Sequence, residues 1–113
     1  MASFDPPYYA VIFSSRRADR ADEYAEMAER MERLAESQPG FLGMETVRGA
    51  DGFGITVSYW RSSEDIVRWK KHAEHIVARR LGNRRFYEAY SVKVACVERA
   101  YEGPSRQSSE ERA

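Results

Sequence analysis

A tryptophan and two histidines, Trp69, His72 and His75, fall three residues apart in a stretch that reads as a helix, so they line roughly one face of it. Histidine titrates near neutral pH, so an imidazole placed there could take a proton from a phenolic substrate and later return it. The indole beside it would serve either as an apolar wall or as ordinary core packing. Glu74, between the two histidines, is the one carboxylate in position to orient them. Two histidines without a recognisable third ligand fall short of a zinc set, and no metal site is expected. Arg68, Lys70, Lys71, Arg79, Arg80, Arg84 and Arg85 make the region locally positive, which could attract an anionic substrate. An earlier acidic segment with Asp22, Glu23, Glu26, Glu29 and Glu32 offers the competing explanation of complementary solvated faces or an intersubunit contact.

These residues need elements to position them. After Pro6-Pro7, the β-branched and aromatic run from Tyr8 to Ser15 predicts a strand covered on both sides. From Asp19 to Glu36, Tyr24, Met27, Ala28, Met31, Leu34 and Ala35 recur at three- and four-residue steps, the pattern of an amphipathic helix. Pro39-Gly40 ends it. Phe41–Arg48 and Phe53–Trp60 read as two strands joined through Asp51-Gly52, a pair suited to a tight hairpin. On the second, Ile55, Val57 and Tyr59 share one face, and Thr56, Ser58 and Trp60 the other. Ser62 or Ser63 caps a second helix, with Glu64 and Asp65 in its first turn, and the helix runs to about Leu81. Gly82-Asn83 stops it, and residues 83–85 suit one extra turn. A last strand is expected from Phe86 to Tyr101.

The order strand-helix-strand-strand-helix-strand is that of an α+β ferredoxin-like βαββαβ sandwich, an antiparallel sheet with both helices on one face. Both strand faces are nonetheless apolar: Tyr90, Val92, Val94 and Cys96 alternate with Tyr87, Ala89, Ala95, Val97 and Tyr101 along the last strand. Two helices cover one face only, so a second subunit is expected on the other, in a homodimer whose sheets face each other. A sixteen-residue final strand would span roughly 50 Å, long enough to bend or reach across to a partner.

Length and composition agree with one domain over residues 1–102 and a mobile tail over 103–113. The chain has 113 residues, 18 Lys+Arg and 18 Asp+Glu, and this zero net charge argues against nucleic-acid binding, which draws on excess positive charge. No stretch approaches the ~20 apolar residues of a membrane helix, so no membrane partner is expected. The amino-terminal residues carry no targeting pattern, and Cys96, the one cysteine, fits a reducing compartment, with the cytoplasm expected.

From about residue 8 to 101 the chain resembles the antibiotic biosynthesis monooxygenase family. The residues that carry the likeness are Pro39-Gly40-Phe41-Leu42-Gly43, Tyr59-Trp60-Arg61-Ser62-Ser63-Glu64-Asp65, Trp69, His72, His75, Gly82, Tyr87, Tyr90 and Val94. The resemblance implies a dimeric α/β barrel with Trp69 lining a cavity between helices and sheet. It implies cofactor-independent oxidation of a small aromatic or quinol-type substrate; on this chain's own residues His72 or His75 would act as base, with Trp69, Tyr90 and Trp60 as the candidate substrate-binding residues. The alternative it carries is haem binding and cleavage, for which relatives use an axial histidine further along the helix and a first-strand asparagine, where this chain has Ser14 and Ser15. A non-catalytic dimeric module that binds a small molecule is a third reading.

Overall fold

The computed structural model describes residues 4–17, 21–81 and 87–104. Six elements follow in the order β1 (Tyr8–Arg17), α1 (Ala21–Glu36), β2 (Phe41–Arg48), β3 (Phe53–Trp60), α2 (Ser63–Leu81) and β4 (Tyr87–Val97). The strands form one antiparallel sheet in the order β2-β3-β1-β4, the ferredoxin-like arrangement that the alternation of elements predicts. The expected start of α1 at Asp19, the Gly82 stop, the turn at 83–85, Phe86, the side chain of Tyr24 and the tail beyond Pro104 lie outside the described residues.

Directly paired residues of neighbouring strands share a face, so the register sorts the side chains. Val11, Phe13 and Ser15 of β1 lie with Ser58 and Thr56 of β3 and with Val94, Val92 and Tyr90 of β4. Trp60 belongs to this set and stacks on Trp69 of α2, which makes it the helix side. Tyr8, Ala10, Ile12, Ile55, Val57 and Tyr59 face the other way. The helices close on the sheet through Met27 and Met31 of α1, Val77 of α2 and Tyr87 of β4.

Tyr87 corrects the simple alternation, which sets it on the face opposite Tyr90. Between Arg16 and Arg17 the register slips: Arg16 pairs with Ala89 and Arg17 with Tyr87, leaving Glu88 as the extra residue of a bulge. The slip turns Tyr87 to the helix side, where its ring meets Phe13 edge-on at 5.1 Å. Two boundaries also differ. β1 runs past Ser15 to Arg17 because Arg16 and Arg17 still find partners in Phe53, Ala89 and Tyr87. β4 ends at Val97, short of Tyr101, because Val97 pairs with Tyr8 and the next partners would be Pro7 and Pro6, which have no N–H to donate.

Candidate active site

β3 ends on Trp60, which has no exposed surface. Its indole Nε1 donates to Ser58 Oγ at 2.9 Å, so the only polar atom of the ring is satisfied inside the fold. Phe41 meets the ring edge-on, with centroids 5.4 Å apart and planes at 84°. Trp69 lies over it at 6.1 Å and 24°, an offset stack of two indoles.

A compact junction places Trp69 there. Ser62 precedes α2 as its cap: the Asp65 backbone N–H donates to Ser62 Oγ at 3.2 Å, and Ser62 Oγ donates to Asp65 Oδ2 at 2.8 Å. Arg68 pairs with the other carboxylate oxygen of Asp65. The buried Asp65 side chain sits against Gly40, whose φ of +81° and lack of a side chain leave it the space. Arg61 N–H donates to the Gly40 carbonyl at 2.8 Å. The Pro39-Gly40-Phe41 turn, the end of β3 and the first turn of α2 are therefore one unit, and one turn further on α2 delivers Trp69.

The helix does not keep the three ring-bearing residues on one face. Three-residue steps fall about 60° short of a full turn, so His75 lies about 120° round the helix from Trp69. Ile66, Ala73, Ile76 and Val77 are the residues α2 turns inward, and Trp69 among them is half-buried. His72 is exposed at the margin, its ring centroid 6.0 Å from that of Trp69. His75 is exposed further round, on the side away from the sheet.

Across from α2, the helix side of β4 is bare. Tyr90, Val92 and Val94 are 66%, 52% and 55% exposed, and they stand beside Phe13 and Val11 of β1. The Tyr90 ring lies 5.8 Å from that of Phe13. Toward the β2 edge of the same face, the exposed hydroxyls of Thr46 and Thr56 are 2.7 Å apart. The structure thus brings Trp60, Trp69 and His72 into one cluster and sets Tyr90 on the same side of the sheet. Sequence reading did not assign Phe13, Ser58, Val92 or Val94 to the site; the period-two register against Trp60 was the signal that could have placed them there.

The serines on β1 have separate fates. Ser15 is buried on the helix side, and its Oγ accepts from Arg48 Nη2 at 2.6 Å while its carbonyl accepts from Arg48 Nη1 at 3.3 Å. Ser14 faces the other side with Ile55. On that far face Tyr59 donates its hydroxyl to Glu45 at 2.7 Å, and this hydrogen bond, with burial and the carboxylate charge, pushes the phenol up to about 12.

Against known proteins, the chain is 56% identical over 95 residues to the Bacillus subtilis protein YqjZ, spanning 84% of this chain and 83% of that one. It is 29% identical over 94 residues to a jasmonate monooxygenase of Pyricularia oryzae, covering 79% of this chain and 43% of that protein. Among solved structures, a mutant of SnoaB, a cofactor-independent oxygenase from Streptomyces nogalater, superposes with a TM-score of 0.65 at 10% identity, over 82% of this chain and 95% of that chain. MhuD carrying manganese protoporphyrin IX superposes at 0.63 with 20% identity, over 84% and 99%. These two likenesses are of fold. The antibiotic biosynthesis monooxygenase model matches residues 7–81, the span from the start of β1 to the end of α2 that holds the Trp60–Trp69 stack, and the chain belongs to that family.

Proposed function

We propose that this protein is a cofactor-independent monooxygenase of a small aromatic or quinol-type substrate, which binds between α2 and the β1–β4 side of the sheet. The observation that carries this reading is the stacked Trp60–Trp69 pair with His72 on its rim, on the same side of the sheet as the bare apolar strip of Tyr90, Val92 and Val94. A flat ring fits an indole wall and an aliphatic wall, and burying it there excludes water.

A substrate of this class brings its own electrons. His72 takes a proton from the phenol or from an adjacent conjugated methylene, and the resulting anion passes one electron to dioxygen. Recombination forms a carbon–oxygen bond. The methylene becomes a carbonyl, and the second oxygen atom leaves as water with the two substrate hydrogens. In this scheme Trp69 walls the ring, Trp60 backs Trp69, and the Tyr90 hydroxyl stands at the open side. His75 is the second candidate base, and its place further round α2 favours His72.

The haem reading asks for an imidazole aimed into the cleft and a polar side chain on β1 facing it. His72 stands at the margin and His75 beyond it, Ser14 faces away from α2, and the Ser15 hydroxyl is taken by Arg48. The residues do not fit that arrangement.

The same proposal includes a cytoplasmic homodimer. Val47, Phe53 and Ile55 lie exposed on the face opposite the helices, as expected of a surface that a second copy covers. Among the described residues no helix is long and apolar enough to cross a membrane.

Oxygen uptake with a panel of naphthols and quinols tests the activity. Wild-type turnover should fall roughly 100-fold or more in His72→Ala, with a smaller loss in His75→Ala. Absence of wild-type turnover across the panel would leave the non-catalytic binding module. A Soret band that forms with haemin and is lost in His72→Ala would restore the haem reading.

A further inference from the structure

On the helix side of the sheet the register divides the floor lengthwise. β1 and β4 supply the apolar side chains of Val11, Val92 and Val94, while β3 and β2 supply the hydroxyls of Ser58, Thr56 and Thr46. The two threonine hydroxyls stand in solvent and satisfy one another at 2.7 Å. Ser58 differs from them. It is 7% exposed, and its partner is the Trp60 indole.

An indole N–H only donates, so the 2.9 Å bond between them uses Ser58 Oγ as an acceptor and leaves the serine proton unspent. Ser58 Oγ makes no second hydrogen bond among the described residues. A hydroxyl proton buried without an acceptor is a cost, and an oxygen of a bound ring removes it. The serine also sits where such an oxygen can arrive. Val94 pairs with Val11 and Val11 with Ser58, and exposure falls along this row from 55% at Val94 through a half-buried Val11 to the buried serine. Two strand spacings make the row roughly 10 Å, about the breadth of two fused rings.

We infer that Ser58 Oγ donates a hydrogen bond to the ring oxygen of the substrate, which lies across Val11 and Val94 with that oxygen toward β3 and its apolar edge toward β4. The inference rests on the oxidation proposed above and names the group that receives the substrate's oxygen. The anion that passes an electron to dioxygen carries its charge on such an oxygen, and a hydroxyl binds an oxyanion more strongly than a neutral oxygen. The donor is in place before the charge forms: Phe41 and Trp69 hold the Trp60 ring, and Trp60 Nε1 holds Ser58.

Equilibrium dialysis of the full chain under anaerobic conditions, with 1-naphthol and with naphthalene, tests this without turnover, because the two ligands differ by that oxygen alone. Ser58→Ala should weaken binding of 1-naphthol roughly 10-fold and leave naphthalene unchanged. Trp60→Phe breaks the same internal hydrogen bond but keeps the serine hydroxyl, so it should still distinguish the two ligands. Should Ser58→Ala fold poorly because Trp60 Nε1 is left buried and unpaired, the double substitution Ser58→Ala/Trp60→Phe removes both partners and is compared with Trp60→Phe alone. A ratio of 1-naphthol to naphthalene affinity that survives the loss of Ser58, or that Trp60→Phe abolishes as fully, makes the serine a structural support only; it overturns the inference and leaves the proposed oxidation intact. A wild-type protein that binds neither ligand overturns both.

Discussion

Replacing Trp60 tests whether the site rests on a rigid base. The side chain is fully buried, donates to Ser58 Oγ, and packs on Phe41 and Trp69. Trp60→Ala removes the whole indole from a packed setting, a change that costs about 3–5 kcal/mol in comparable cores. Trp60→Phe keeps an aromatic face beneath Trp69 but strips the Ser58 hydroxyl of its donor, and about 1–3 kcal/mol is expected. With 113 residues at about 2.1 cal/mol/K each, the unfolding entropy is roughly 240 cal/mol/K, so each kcal/mol lowers Tm by about 4 °C. Trp60→Ala should therefore melt roughly 12–20 °C below wild type and Trp60→Phe about 4–12 °C below. Trp69→Ala, truncating a half-buried ring, should cost clearly less than Trp60→Ala while harming turnover at least as much. Far-ultraviolet circular dichroism in thermal and urea unfolding gives both stabilities. If Trp60→Ala costs under about 1 kcal/mol, or no more than Trp69→Ala, then Trp60 is not the foundation of the site and the reasoning fails.

Three further outcomes follow from the same contacts. Tyr59 should titrate near 12 by its phenolate absorbance, and Glu45→Gln should bring it back toward the ordinary value near 10. The unfolded phenol loses its proton first, so the contribution of Tyr59 to stability is complete below about pH 10 and is lost as pH rises toward 12; wild type should fall more steeply in that window than Glu45→Gln. Gly40→Ala should destabilise by roughly 2 kcal/mol or more, since a Cβ at φ +81° is strained and would displace the Asp65 cap, and Gly40→Ala in an Asp65→Ala background should lose less than the two changes summed. Arg48→Met should cost about 1–3 kcal/mol in urea unfolding, because it removes the donors to Ser15 Oγ and to the Ser15 and Gly52 carbonyls at the hairpin end.

Element order, the βαββαβ topology and the Trp60-to-Trp69 spacing were legible in the chain, because each depends on local signals: alternation along β3, the Ser62 cap, the Pro39-Gly40 stop. Ser62 itself was one of two candidates, and only the hydrogen bonds to Asp65 separate it from Ser63. The three-residue rhythm of Trp69, His72 and His75 looked like a shared face, yet the drift of about 60° per step spreads them from the half-buried margin to the outside. Tyr87 was misplaced because a bulge is a property of two strands together, and neither β1 nor β4 announces it alone.

Sequence alone determined the order and type of the elements, where the chain turns, and that its sheet is apolar on both sides. These follow from steric preference, hydrogen-bonding capacity and hydrophobic period, all read within a few neighbours. Tertiary structure decided which apolar residues meet. It put Trp60 under Trp69, left Tyr90, Val92 and Val94 open on the same side of the sheet, buried Tyr8 under Phe4, and left Val47 and Tyr101 in solvent at opposite ends of the sheet. Register and the angle at which a helix crosses a sheet depend on contacts between residues far apart in the chain, and no local pattern encodes them.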